Sequence, residues 1–132
     1  MKLQKYFKIM AEREASDLFL STNTEPRARI HGAVHFLCDE KVARQDMDEL
    51  ISAILPEASK REHYHKNWDI DFIYVDPDVG RFRISLFCQR ANPALVARYV
   101  RNQTKTFQEL GLPVELFESF AQEPRGLILT CG

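Results

Sequence analysis

From Trp68 onward the sequence changes period, and that change restricts the fold more than any other feature. Ile70, Phe72 and Tyr74 fall on one face of an alternating segment that Trp68 is expected to begin, while Asp69 and Asp71 take the other face. Asp76-Pro77-Asp78-Val79-Gly80 is a turn by composition, because Pro presets φ and Gly accepts a positive one. Alternation then resumes from Arg81 to Arg90, with Phe82, Ile84, Leu86 and Cys88 apolar-side and Arg81, Arg83 and Ser85 opposite. Two alternating segments joined by a short turn make an antiparallel hairpin. A sheet with one apolar and one charged face needs cover on the apolar side only.

The rest of the chain supplies that cover. Leu3, Tyr6, Phe7, Met10 and Ala11 recur at helical spacing, and Met47, Leu50, Ile51, Ile54 and Leu55 form a second stripe that Pro56 ends. Glu57 to Lys66 reads as a more polar helix. Further strands are expected at Asp17–Ser21, at Arg27–His31 and Val34–Cys38 around Gly32, and at Leu95–Arg101. Thr106-Phe107-Gln108-Glu109 fits a capping box opening a short helix, and Val114–Phe120 forms another helical stretch. Leu127-Ile128-Leu129-Thr130 reads as a buried parallel strand. The expected fold is α+β and PAS-like: a mostly antiparallel sheet of about six strands with helices on one face. The expected domains are 1–122 for this fold, and 123–132 as a linker and the start of a second domain.

Composition excludes several function classes. A formal net charge of −1 gives no global field to gather nucleic acid. No apolar run approaches the roughly 20 residues of a membrane span, so direct insertion is not expected. Cys38, Cys88 and Cys131 are dispersed and read as reduced, buried thiols of a cytosolic protein. His63 and His65 lie two apart on a helix, and His31 and His35 flank the Gly32 turn; neither pair is completed by other ligands, so no metal site is expected. Asp69 and Asp71 lack a companion nucleophile and are expected to pair with strand arginines, Asp71 with Arg83 first. Trp68, Phe72, Phe82 and Phe87 read as core, with a ligand-lined cavity as the alternative. Arg98 shares a strand face with Val96 and Val100, where a guanidinium needs an acid, a phosphate or an interface.

A series of motifs then carries a resemblance. Ala15-Ser16-Asp17-Leu18-Phe19-Leu20, Pro26-x-x-x-Ile30-x-Gly32, Asp71-Phe72 and Gly80-Arg81-Phe82-Arg83-Ile84-Ser85-x-Phe87-x-Gln89-Arg90 occur in order. Val96-x-Arg98-x-Val100, Glu109-Leu110-x-Leu112-Pro113 and Arg125-Gly126-Leu127-Ile128-Leu129 follow. Together they resemble the N-terminal domain of the type IV pilus retraction ATPases, over nearly the whole chain. Phe19, Ser85 and the arginine of Gln89-Arg90 resemble the PilU branch more than the PilT branch.

The resemblance implies a cytoplasmic, hexameric motor for twitching motility. Its RecA-like C-terminal domain would bind ATP and Mg²⁺, and it would sit at the inner membrane through a pilus-machine platform and a paralogous ATPase. Arg83 and Arg98, with Arg81 third, would contact the nucleotide phosphates. Gly132 would open the phosphate loop G-x-x-x-x-G-K-[ST], whose remaining residues do not occur here, so these 132 residues are expected to bind no cofactor and hydrolyse no ATP alone. A PAS-like sensory domain or a protein-interaction domain is the alternative function.

Overall fold

The computed structural model describes residues 4–100, 104–129 and 131. The chain forms two compact units, Met1–Asn102 and Gln103–Gly132.

In the first unit, helix α1 (Lys5–Glu12) precedes strands β1 (Asp17–Ser21), β2 (Arg27–Ile30) and β3 (Ala33–Phe36). Helices α2 (Arg44–Ile54) and α3 (Ala58–Asn67) follow, then β4 (Asp69–Asp76), β5 (Gly80–Gln89) and β6 (Asn92–Val100). The six strands form one sheet in the order β3-β2-β1-β6-β5-β4. All its pairings are antiparallel. This is the α+β architecture expected, with β1 seated centrally against the last strand.

One face of the sheet carries the core. Leu18, Leu20, Ala28, Phe82, Ile84, Leu86, Leu95 and Ala97 are buried with Phe7 and Met10 of α1, Met47, Leu50 and Ile54 of α2, and Tyr64 of α3. The Phe7 ring lies 4.6 Å from that of Phe82 and 5.5 Å from that of Tyr74. These rings fill the space between α1 and the sheet.

Turn chemistry sets the register of the hairpins. The β2–β3 turn is His31-Gly32, both at positive φ, which suits a two-residue connection. Between β4 and β5, the buried Asp76 accepts backbone N–H bonds from Asp78 and Val79 at 3.0 and 3.1 Å through Oδ1. Oδ2 accepts from Gln4 at 3.1 Å, so this carboxylate is satisfied on both oxygens. The β5–β6 turn is less well matched, because Arg90 and Ala91 both stand at positive φ, 51° and 61°. A left-handed L-residue costs about 1–2 kcal/mol, against about 0.4–1 kcal/mol of extra unfolded-state entropy for Gly. Ala91→Gly is therefore expected to stabilise the domain by about 0.5–1 kcal/mol, seen as a raised urea midpoint at constant m.

Several expectations change. Trp68 does not begin β4; it ends α3 in the left-handed region (φ 59°) and is 50% exposed. The helix C-terminus needs a closing residue there, and that need overrides the alternation. Phe87 faces away from the core, pairing across the sheet with Asp69 and Ala94, because Phe82, Ile84 and Leu86 fix the opposite parity. Cys38 and Cys88 are half-buried and Cys131 is exposed, rather than all three being buried.

In the second unit, the Thr106–Glu109 box forms as expected: Thr106 N–H donates to Glu109 Oε2 at 2.7 Å and Glu109 N–H to Thr106 Oγ1 at 3.3 Å. No helix extends from it. Leu112 N–H already bonds Phe107 O, and Gly111 N–H bonds Gln108 O, a helix-ending pair that closes after a single turn. Helix α4 (Val114–Gln122) follows, and its Phe117 stacks on Phe107 at 4.9 Å. Leu127, Ile128 and Leu129 are exposed and lie in no strand, with no pairing partner among the described residues. Thr130 lies outside the described residues.

Candidate functional site: an arginine row on the open face of the sheet

Strand parity gathers the unabsorbed charge on the face opposite the helices. One row crosses five strands in register, Val34–Arg29–Asp17–Arg98–Arg83, and reaches a sixth at Ile73. A second runs Phe36–Arg27–Phe19–Val96–Ser85–Asp71. Arg81 stands beside them, between Val75 and Val100. Three of these arginines are predicted site residues, and the fold brings them onto one surface.

Arg83 and Arg98 are direct cross-strand neighbours, an arrangement of like charges that destabilises a sheet. The cost is offset on one side only. Arg98 Nε donates to Asp17 Oδ1 at 2.9 Å, and its side chain remains 69% exposed. Arg83 and Arg81 are exposed, and among the described residues neither side chain makes a hydrogen bond or an ion pair. Arg83, Arg98, Ser85, Val96, Asp17 and Asp71 line one surface concavity of about 320 Å³. Two guanidinium groups and a hydroxyl offer donors to phosphate oxygens; of the two acids on the same wall, Asp17 is taken up by arginines, and Asp71 sets a charge against the anion.

Asp17 is the buried member of the row, 5% exposed. Ser16 Oγ donates to its Oδ2 at 2.9 Å, and Arg29 Nε lies 3.3 Å from the same oxygen. Burial pulls the carboxyl up, but the bonds from Arg98 and Ser16 and the attraction of both arginines outweigh it, leaving it below its ordinary value. Unfolded, Asp titrates near 3.9. The folded state therefore holds its proton less tightly, so the stabilisation is complete above about pH 4 and is lost as pH falls through the lower folded value. Urea titrations from pH 7 to pH 2 are expected to show the stability gap between wild type and Asp17→Asn narrowing below pH 4.

The expected Asp71–Arg83 ion pair does not form among the described residues. Asp71 is opposite Ser85, and Arg83 is opposite Ile73, so the two are diagonal neighbours. Arg27 and Arg29 were expected as strand residues and not as members of a site. Arg27 lies over the Phe36 ring at 4.8 Å and Arg29 over Phe19 at 5.7 Å. His63 bonds Asn67, His65 meets Trp68 edge-on, and no three metal-ligating side chains gather among the described residues. Of the two acids lining the concavity, Asp17 is already held by two arginines, and Asp71 alone beside two guanidinium groups offers too few oxygen ligands to hold Mg²⁺. Gly132 lies outside the described residues. Among them, no helix is long and apolar enough to cross a membrane.

No protein-family model matches the chain. Over all 132 residues it is 28% identical to the type IV pilus ATPase PilU of Pseudomonas aeruginosa, covering 34% of that protein. It is 30% identical over the same span to the type IV pilus retraction ATPase PilT of that organism, covering 38%. The crystal structure of the pilus retraction motor PilT with bound ADP superimposes on 89% of the chain with a TM-score of 0.75 and 30% identity, using 34% of that chain. The chain thus spans about a third of the proteins it matches. Identity does not separate the PilU and PilT branches.

Proposed function

We propose that this chain, which belongs to the type IV pilus retraction ATPase family and has the fold of its N-terminal domain, supplies arginines to a nucleotide held elsewhere in a hexameric motor. Arg83 and Arg98, with Arg81 third, contact the phosphates of ATP, and residues 123–132 lead from the domain at 1–122 into a RecA-like domain whose phosphate loop Gly132 opens. That RecA-like domain holds ATP with Mg²⁺ and supplies the hydrolysis, and these 132 residues alone hydrolyse none. Each domain contributes to a contact between neighbouring subunits. The motor is cytoplasmic, meets the inner membrane through the pilus platform, and belongs with the PilU branch, working beside a paralogous ATPase.

The observation that supports this reading is the like-charged pair itself. Arg83 and Arg98 stand side by side as exposed side chains lining one concavity, although adjacent cations destabilise a sheet. An anion between them converts that cost into binding, and stabilising charge on a transferring phosphoryl group is what supplied arginines do in other NTPases. The test is arginine-selective modification of the full-length protein by phenylglyoxal, read by mass spectrometry. Mg²⁺ and ATP are expected to protect Arg83 and Arg98 severalfold while leaving exposed Arg27 unchanged. Equal modification with and without nucleotide removes the reading.

A further inference from the structure

Three guanidinium groups, Arg29, Arg98 and Arg83, fall in one row, and Asp17 is the only acid in it. Its two oxygens are divided between strands: Oδ1 takes Arg98 from β6, and Oδ2 takes Arg29 from β2 together with Ser16. We infer that Asp17 is the positioning residue of the phosphate-binding arginine pair, holding Arg98 by its Nε edge so that its outer edge faces the concavity it shares with Arg83. This inference rests on the proposed role of Arg83 and Arg98.

The physical reason lies in guanidinium geometry. The group carries five N–H donors in a rigid plane, and a bond through Nε leaves the two terminal nitrogens free to meet a second acceptor. A single carboxylate on the inner edge thus orients the side chain without occupying the edge that binds phosphate. Asp17 also cancels one charge between Arg29 and Arg98, which lets Arg98 stand next to Arg83. Arg29 on the other oxygen keeps the buried carboxylate neutralised when Arg98 moves towards an anion, so the movement leaves no orphaned charge.

The experiment is steady-state ATP hydrolysis by the full-length protein carrying Asp17→Asn, Arg98→Ala or both, with melting curves for each. Asp17→Asn removes a negative charge near the phosphates while loosening Arg98, so kcat is expected to fall about tenfold with KM unchanged or lower. A stability role alone lowers the melting temperature without that split. The double variant is expected to turn over no more slowly than Arg98→Ala, because Asp17 acts through Arg98. Multiplicative losses, or a folded Asp17→Asn protein with normal kcat, overturn the inference and leave the arginine role standing. If Arg98→Ala itself turns over normally, the arginine role falls and this inference with it. Should Asp17→Asn not fold, Asp17→Glu displaces the same charge by one methylene and is expected to lower kcat, and a normal rate there counts against Asp17 equally.

Discussion

Arg83→Ala is expected to slow ATP turnover of the full-length protein by about 10²–10³-fold, the range found when one preorganised donor to a transition-state oxygen is lost. Folding should hardly notice. Arg83 is exposed and unbonded among the described residues, and substitutions at such places stay within about 0.5 kcal/mol. Relief of its repulsion with Arg98 acts in the stabilising direction. Arg98→Ala is expected to cost a similar factor in rate, but also about 1–3 kcal/mol of stability, because Asp17 loses one of its bonds while staying buried. The contrast between the two separates chemistry from packing. Steady-state kinetics and calorimetry on both variants check it, and an Arg83→Ala enzyme with unimpaired kcat takes Arg83 out of the mechanism.

Phe7→Ala should remove about 3–5 kcal/mol, the usual cost of deleting a buried aromatic ring. Domains of this size are stable by roughly 5–15 kcal/mol, so this one side chain decides whether the fold survives warming. Phe7 is fully buried and its ring meets both Phe82 on β5 and Tyr74 on β4, so it fastens α1 to the half of the sheet furthest from it in sequence. Urea unfolding followed by circular dichroism measures the loss. Val34→Ala on the exposed edge strand β3 is the control and should change stability by less than about 0.5 kcal/mol. A mild effect at Phe7 would mean that α1 contributes little to closing the core.

The local elements were legible because each carries its own period. Phe82, Ile84 and Leu86 identify β5 and its buried face without reference to any other strand, and Met47, Leu50, Ile51 and Ile54 do the same for α2. The arginines' face followed from the same parity. What could not be read was partnership over distance. Asp17 holds Arg98 only because β1 pairs with β6, and no residue in either strand names the other. Asp71 was expected to pair with Arg83 across the sheet, but register places Ser85 opposite Asp71 and Ile73 opposite Arg83. Trp68 and the helix expected after the Thr106 box failed for another reason: ending a helix and closing a turn are local demands that override a pattern of side chains. Arg29 carried one available signal, a cation alternating with Arg27 on a strand otherwise apolar, and that signal fits any solvated edge as well.

The pairing of β1 with β6 also bears on synthesis. Asp17 and Arg98 are 81 residues apart, and β1 lies between β2 and β6 in the finished sheet. A chain emerging from the ribosome can form the β1–β2–β3 meander early, yet one side of β1 keeps its backbone groups unpaired until β6 arrives. Contacts of such separation form slowly. The newborn chain thus carries an open strand edge until β6 has been made, and this sheet cannot be completed before then.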